Sequence, residues 1–361
     1  MGLCFLTVLS YAQNNEVPDI HMDFESYDPP STLVVPEHPI LQAKFPFIDV
    51  HSHHWRMAEQ DLSMLVGQMD SLNMGINVNL SGRGGTILSE MTHSIDSQGY
   101  ANRLVVFTNI EFRSIDEPDW EENTTAQIRY DVEQGARGLK IYKSQGMFHT
   151  DSSGNRIPLN HPKLDAIWSV CGELGVPVLI HAADPRPFWQ PLDSLNERWL
   201  ELKLKPGRKR EANDPAPWEV IIGEQHDVFR RHPETTFINA HFGWFANDLD
   251  HLAKLLDEIP NMYVEFGAVI AELGRQPRHA KAFFTKYQDR ILFGKDSYKP
   301  EEYPTYFRVL ETADEYFPYY KKYHAYWKMY GLDLDDEVLK KIYYKNALRI
   351  IPGLDASLFP E

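Results

Sequence analysis

The feature that most constrains this chain is a pair of histidines, His51 and His53, that directly follow a short apolar run. Residues 47–50 have the composition of a strand, and the two histidines are separated by Ser52. Because side chains alternate along a strand, both imidazoles point to the same side and can reach one ion. A surface histidine cluster would look the same in isolation. The pair predicts a metal site if later strands end in matching ligands.

The rest of the chain alternates predicted strands with predicted helices. Further strands are predicted at 75–80, 104–110, 137–143, 177–180, 235–240, 262–266 and 290–294, and the helices include 61–73, 86–98, 124–134, 161–174, 218–231, 248–258, 278–287 and 336–350. Short connections between such elements favour a parallel sheet. Eight strands, each followed by a helix, predict an α/β fold, the (β/α)8 or TIM barrel, and 361 residues suit such a barrel with insertions.

Two connections are longer than this barrel requires. They are residues 184–215 after the fifth strand and 297–334 after the eighth, and both are rich in aromatic side chains. Both leave the C-terminal face, where barrel enzymes build their sites, so they are expected to wall or cover a pocket. Alternatively, their aromatic residues form a packing layer or the interface of a homodimer.

Three more potential ligands end later strands. His181 follows the fifth strand, His241 the sixth and Asp296 the eighth. Together with the first pair they supply three imidazoles and a carboxylate for one divalent ion, plus a spare histidine, and this set suits zinc with an open position. A non-catalytic metal-binding or carbohydrate-binding barrel is the alternative from another class. It has no need of an open metal position or a spare acid/base.

Five motifs in this order resemble the amidohydrolase superfamily, specifically the amidohydrolase-related branch that includes aminocarboxymuconate-semialdehyde decarboxylase. They are IDVHSH at 48–53, GLK at 138–140, LIH at 179–181, NAH at 239–241 and ILFGKD at 291–296. The resemblance covers roughly 47–352. The motifs are specific for the superfamily, whereas they do not identify a substrate.

The resemblance implies a role for each ligand-type residue. His241 would be either a ligand of a second metal or a general acid/base. The first metal would be held by His51, His53, His181 and Asp296.

Lys140 matches the lysine that is carbamylated in members with two metals. A single metal is more usual in this branch, so Lys140 is expected to be unmodified. If its amine faces the barrel interior it needs a partner, and Glu111 at the end of the neighbouring strand is a candidate. The branch commonly has threonine or serine where this chain has Lys295, before the final aspartate. Strand alternation sends Lys295 away from Asp296, so the ligand assignment is kept.

The expected function is a metal-dependent hydrolase that activates water at about neutral pH and cleaves an amide, lactone or ester bond in a small carboxylated substrate. Asp296 would accept a proton, and His241 would polarise a carbonyl or protonate a leaving group. The alternative is a decarboxylase that protonates the carbon from which CO2 departs. Candidate substrate contacts are His54, Trp55, Arg83, Glu111, Lys140, Arg186, Trp189, Trp244 and Tyr298.

The net charge and the N-terminal segment limit which partners and which cellular location are expected. The formal charge of -16 disfavours nucleic acid, and no run approaches the ~20 apolar residues that span a bilayer. Residues 1–12 resemble a signal peptide, although a positive start is missing, and a buried strand is the alternative. Cleavage would make the protein periplasmic or secreted, and otherwise it would be cytoplasmic. A linker (13–44), the barrel (45–353) and a tail (354–361) would follow.

Overall fold

The computed structural model describes residues 21–360. The chain divides into two units after Val34. In the first, described from residue 21, a 3-10 turn covers Phe24–Ser26. The signal peptide predicted for 1–12 lies outside the described residues. The second unit contains every element described below.

The second unit is built on eight parallel strands that neighbour one another in chain order. β1 to β3 form one hydrogen-bonded sheet and β4 to β8 form another. Each strand lies close to a predicted one, although several are shorter than predicted. The strands are β1 Phe47–Ser52, β2 Met74–Asn79, β3 Leu104–Val106, β4 Leu139–Ile141, β5 Val178–Ile180, β6 Phe237–Asn239, β7 Met262–Glu265 and β8 Ile291–Leu292.

Backbone hydrogen bonds join the two sheets at both seams. Between β3 and β4, Thr108 forms a parallel bridge with Leu139. Between β8 and β1, the amide of Val50 donates to the carbonyl of Phe293 at 3.0 Å. Together with the parallel order of all eight strands, these bonds confirm the predicted (β/α)8 fold.

Helices follow the strands as expected for this fold, and the predicted helix 218–231 coincides with α7. The predicted helix 336–350 is continuous but contains a π-helical segment, Lys341–Lys345, between two α-helical parts. The helices are α1 Ser63–Leu72, α2 Thr86–Ser97, α3 Trp120–Glu133, α4 Lys143–Met147, α5 Asp165–Glu173, α6 Trp199–Leu204, α7 Trp218–Arg231, α8 Leu249–Glu258, α9 Ile270–Gly274, α10 Pro277–Lys286, α11 Tyr303–Glu311, α12 Asp336–Lys340 and α13 Asn346–Ile350.

The insertion after β8 contributes to the core as well as to the surface. Tyr303 and Tyr306 on α11 are fully buried, and Tyr303 packs near Phe47 of β1 with ring centroids 6.0 Å apart. Phe47 also contacts Phe293 at 4.6 Å. The packing alternative therefore holds for these tyrosines. Later in the insertion, β9 Phe317–Pro318 pairs with β10 Lys328–Met329 in an antiparallel ribbon.

None of the helices within residues 21–360 has the length and apolar character needed to cross a bilayer.

Candidate metal centre and active site

His51, His53 and Asp296 converge at the C-terminal end of the barrel. Nε2 of His51 lies 3.6 Å from Oδ1 of Asp296, and Nε2 of His53 lies 3.7 Å from the same oxygen. The backbone places Asp296, because its amide donates to the carbonyl of His51 at 2.7 Å. The seam between β8 and β1 therefore brings together the first and last predicted ligands.

Hydrogen bonding determines which ring nitrogen of His51 is free. Nδ1 of His51 lies 2.8 Å from Oε1 of Glu265, and both side chains are fully buried. A carboxylate accepts a hydrogen bond, so Nδ1 of His51 carries the proton. Nε2 then presents a lone pair toward Asp296. Buried Glu265 at the end of β7 was missed by the sequence reasoning, although an acid before Gly267 at a strand end could have pointed to it.

A longer chain of hydrogen bonds acts on His53. The hydroxyl of Tyr142 donates to the carbonyl of Leu80 at 3.0 Å. Its oxygen can then accept from the Ser81 hydroxyl, 3.1 Å away. The Ser81 oxygen in turn accepts from Nδ1 of His53 at 2.8 Å. Nε2 of His53 is therefore also left with a lone pair.

The same reasoning applies to His181. Nδ1 of His241 lies 2.7 Å from the carbonyl of Gly267, which can only accept, so this nitrogen carries the proton of a neutral ring. Nε2 of His241 then accepts from Nδ1 of His181, at 3.2 Å. Nε2 of His181 is buried without a hydrogen-bond partner. An orphaned buried nitrogen of this kind is what an absent ligand would satisfy.

The environment keeps these imidazoles neutral. Burial lowers the pKa of His51 and of His181 well below the usual range, and it lowers the pKa of His53 to about 4. The nearby ammonium of Lys140 is the next cause for His51 and His53. Neutral imidazole is the form that binds metals, so both the protonation state and the tautomer are suitable.

Asp296 is held in its ionised form. Burial raises its pKa, but the surrounding imidazoles and Lys140 outweigh burial, so that the pKa falls to about 2. Three Nε2 lone pairs and one carboxylate are a suitable donor set for a divalent ion, and a partner on each Nδ1 orients every ring. The residues of this site therefore fit the predicted metal.

Two clusters of ligand atoms lie within 4.8 Å of one another among the described residues. The first is His51, His53 and Asp296, and the second is His51, His241 and Glu265. Glu265 orients its neighbours, because it also accepts the amide of His241 at 2.8 Å and that of Gly267 at 2.6 Å. His181 is in neither cluster and approaches the centre through its contact with His241.

Lys140 lies at the centre, but its predicted partner does not. Its Nζ lies 3.5 Å from Nε2 of His51, and the residue is fully buried. Burial lowers the pKa of Lys140 to about 7, although Asp296 and Glu265 act in the opposite direction. Glu111 instead faces solvent with a side chain 75% exposed, 4.0 Å from Arg113. The expectation that Glu111 pairs with Lys140 was wrong because β3 ends before Glu111 and the chain turns outward there.

A cavity of about 280 Å³ opens beside the metal ligands. Its floor includes His181, His241 and Asp296, and Trp244 forms part of the wall with its ring 4.6 Å from that of His241. Both long insertions contribute to the wall, as predicted. Side chains from them that line the cavity include Arg198, Glu201, Lys205, Arg208, Lys299, Tyr320, Lys321, Tyr323 and His324.

Several predicted substrate contacts surround the first strand. Trp55 stacks on His53 with centroids 5.9 Å apart, and the Arg83 guanidinium lies 4.8 Å from the Trp55 ring. His54 packs against Tyr298 at 4.8 Å. These four side chains lie near the candidate ligand His53 without lining the cavity described above.

Two other predicted contacts have structural partners. Arg186 pairs with Glu219 at 2.7 Å and lies over Trp218. Trp189 is buried and donates from Nε1 to the carbonyl of Ala216 at 2.9 Å. Neither lines the cavity, whereas Pro185 and Phe188 beside them do.

The fold and the site together define a metal-dependent (β/α)8-barrel enzyme. The chain belongs to the amidohydrolase family, whose sequence model, described as Amidohydrolase, matches residues 112–353. No curated protein matches the sequence.

Solved structures share the fold at low sequence identity. An uncharacterized TIM-barrel protein from Bordetella bronchiseptica matches with a TM-score of 0.52 and 14% identity, over 84% of this chain and 98% of that one. A dihydroxybenzoic acid decarboxylase from Polaromonas sp. JS666, with bound manganese and the inhibitor 2-nitroresorcinol, matches at 0.51 and 12%, over 85% and 96%. A 2,6-dihydroxybenzoate decarboxylase complexed with 2,6-dihydroxybenzoate matches at 0.50 and 12%, over 85% and 99%.

Proposed function

We propose that this protein is a hydrolase that cleaves an amide, lactone or ester bond in a small carboxylated substrate, with one divalent ion, zinc being the best match, held by His51, His53, His181 and Asp296. The observation that carries the proposal is the set of hydrogen-bond chains behind the three histidines. Each chain ends on an acceptor and leaves an Nε2 lone pair for the ion.

The ion would supply Lewis-acid activation of water and of a carbonyl oxygen. The ionised carboxylate of Asp296 would accept the proton of the attacking water and return it to the leaving nitrogen or oxygen. His241 holds His181 in the ligand tautomer. A role of His241 as acid/base would require its Nε2 to leave Nδ1 of His181.

The shortage of free proton donors at the site supports hydrolysis over decarboxylation. Decarboxylation needs a proton donor at the carbon that loses CO2. The Nδ1 protons of the three ligand histidines and of His241 are already donated to other groups. Hydrolysis instead needs a base, which Asp296 provides.

Decarboxylation is the second candidate, because one proton donor is left. The Nζ of Lys140 lies 3.5 Å from Nε2 of His51, so this lysine would have to act as the acid. Known decarboxylases share the fold, one of them complexed with 2,6-dihydroxybenzoate and another with the inhibitor 2-nitroresorcinol. This likeness extends to the fold alone, so it supports the candidate weakly.

Metal analysis and a substrate screen test the proposal together. Elemental analysis should find about one equivalent of a divalent metal per chain, and His53→Ala should lose it. Carboxylated lactones and aromatic or cyclic acids should then be screened for both ring opening and CO2 release. We expect bond hydrolysis without CO2. Full metal content in His53→Ala would reject the ligand assignment, and CO2 release abolished in Lys140→Gln would favour the second candidate.

His241→Asn separates the two roles of that histidine. A positioning role predicts metal affinity lower by about 10–100-fold, with turnover recovering at saturating metal. An acid/base role predicts normal metal content and turnover lower by about 10²–10⁴ at every metal concentration. Full turnover at ordinary metal concentration would remove His241 from both roles.

A further inference from the structure

The cavity beside the metal centre is cationic, although the chain as a whole carries a formal charge of -16. Its lining has three carboxylates, which belong to Asp184, Glu201 and Asp296. Asp296 is committed to the metal centre. The lining also has seven cationic side chains, which are Lys143, Arg198, Lys205, Arg208, Lys295, Lys299 and Lys321.

On one wall, a single carboxylate serves three ammonium groups. Glu302 lies 2.6 Å from Nζ of Lys295, 3.5 Å from that of Lys321 and 3.6 Å from that of Lys299. Lys295 and Glu302 are buried and form the closest pair. Lys299 and Lys321 therefore share a partner whose charge is already matched, which leaves positive charge facing the cavity.

On a second wall, the insertion after β5 adds a further group of cations. Glu201, 2% exposed, contacts Arg208 and lies 3.2 Å from Nη1 of Arg198, whose Nη2 lies 2.8 Å from Glu272. Nε2 of His324 is also 3.2 Å from Glu201, and Nδ1 of this buried ring has no hydrogen-bond partner. Lys205 lies over the ring of Tyr323 at 5.8 Å. No carboxylate contacts Lys205 in the described part of the chain.

We propose that these two walls bind a second anionic group of the substrate, a carboxylate or a phosphate, while the reacting group lies at the metal centre. The proposal rests on the proposed function, which places the reaction at that centre. A concave surface with surplus like charge and a low-dielectric wall concentrates ligands of opposite charge. Arginine forks and lysines suit carboxylate and phosphate oxygens. The substrate class is thus a small dianion rather than a monocarboxylate.

Ligand pairs that differ by one anionic group test this directly. Isothermal titration calorimetry on the metal-loaded protein should compare benzoate, isophthalate and meta-phosphonobenzoate. We expect either dianion to bind at least about tenfold more tightly than benzoate, the size of a hydrogen bond between charged groups. Tighter binding of isophthalate would indicate a dicarboxylate, and tighter binding of the phosphonate would indicate a phosphorylated substrate.

Lys205→Gln and Lys321→Gln should each weaken dianion binding by about tenfold and leave benzoate binding unchanged. Neither change breaks the buried pair of Lys295 with Glu302. The matched control is Lys203→Gln, which lies on α6 two residues before Lys205 and outside the cavity lining. Equal affinity for benzoate and isophthalate, no dianion binding at all, or dianion affinity unchanged in both variants would each overturn the proposal.

The same titrations on chelator-treated protein separate this proposal from the proposed function. Binding of isophthalate should persist without metal, because the two walls do not depend on the ion, and Lys205→Gln or Lys321→Gln should still weaken it. A protein that never holds metal but binds isophthalate through Lys205 and Lys321 would reject the metal-dependent hydrolase and keep the anion subsite. A protein with one metal and no preference for a dianion would do the reverse.

Discussion

At the scale of single residues, the proposed metal centre depends on groups that are not themselves ligands. Ser81, Glu265 and His241 each occupy the Nδ1 of one ligand histidine. If the ring proton of a histidine moved from Nδ1 to Nε2, the ring would present a proton to the ion instead of a lone pair. The sequence offered the candidate ligands through their strand-end positions. It could not predict these partners, because they come from other strands and meet only in the folded barrel.

Tyr142→Phe tests this relay. Without the tyrosine oxygen, the Ser81 hydroxyl loses its acceptor and can donate to Nδ1 of His53, which would move the ring proton to Nε2. We expect the metal dissociation constant to rise by about 10–100-fold, as for other groups that orient a ligand. A competition titration with a chelator measures this change.

Tyr130→Phe, on α3 and 43% exposed, is the matched control and should leave metal affinity unchanged. An unchanged dissociation constant in Tyr142→Phe would show that the hydroxyl of Tyr142 does not set the tautomer of His53.

At the scale of elements, the segment after β6 has an unusual backbone. His241, Phe242 and Gly243 have φ values of 57°, 53° and 58°, and Trp244 follows at 64°. Left-handed conformations cost roughly 1–2 kcal/mol for each residue other than glycine. Strain of this kind is concentrated at functional sites, where the surroundings hold it in place. Here Glu265 accepts the amide of His241.

The π-helical segment at Lys341–Lys345 is hydrogen-bonded to the residue that follows β8. The carbonyl of Ile342 accepts the amide of Phe293 at 3.0 Å, so the end of β8 is bonded to this helix. The apolar pattern of 336–350 predicted the helix. It carried no information on the π-helical segment, because the period of apolar residues hardly differs over a single turn.

A buried histidine on helix α7 leads to a prediction about how stability depends on pH. His226 on this helix is buried, its Nε2 has no partner, and its ring stacks on Phe245 at 6.1 Å. Burial, followed by Arg230 and His251, lowers its pKa from 6.5 to about 3. Below pH 6.5 the unfolded chain therefore binds a proton that the folded chain does not, so stability falls as the pH decreases.

When the pH is lowered from 7 to 5, titration of this residue should lower the free energy of unfolding by about 2 kcal/mol. His226→Gln and His226→Leu should both lose that part of the pH dependence, as measured by urea denaturation at the two pH values. The two replacements differ in shape, so a shared effect reports titration and not packing. A pH dependence equal to wild type in both variants would contradict the prediction.

At the scale of the whole molecule, metal binding should add to stability. A ligand that binds only the folded state at 100 times its dissociation constant stabilises it by about 2.7 kcal/mol. For a chain of 361 residues this corresponds to a rise in Tm of roughly 4 °C. Calorimetry with added zinc and with a chelator should show this difference.

Asp296→Asn should remove the dependence of Tm on metal, while Asp257→Asn, with a side chain 60% exposed, should keep it. A metal-dependent Tm in Asp296→Asn would show that the stabilising ion binds elsewhere.

The barrel as a whole could be predicted because its pattern is repetitive and local. Apolar runs of strand length alternate with helical periods, and both are properties of neighbouring residues. The outward turn of Glu111 and the pairing of cations with Glu302 or Glu201 were not predictable. They depend on where two insertions, far apart in the chain, come to lie against the barrel.

The seam between β8 and β1 also bears on the point in synthesis at which the proposed metal centre can form. Asp49 is fully buried and accepts the amide of His51 at 3.0 Å and the amide of Lys295 at 3.1 Å. Lys295 is 246 positions further along the chain than Asp49. Contacts of such separation form late, because the whole intervening chain must be in place first. A nascent chain that has emerged only as far as α10 contains the three histidines proposed as ligands but lacks Asp296. Under the proposed assignment, complete coordination of the metal would therefore follow the formation of the seam between β8 and β1.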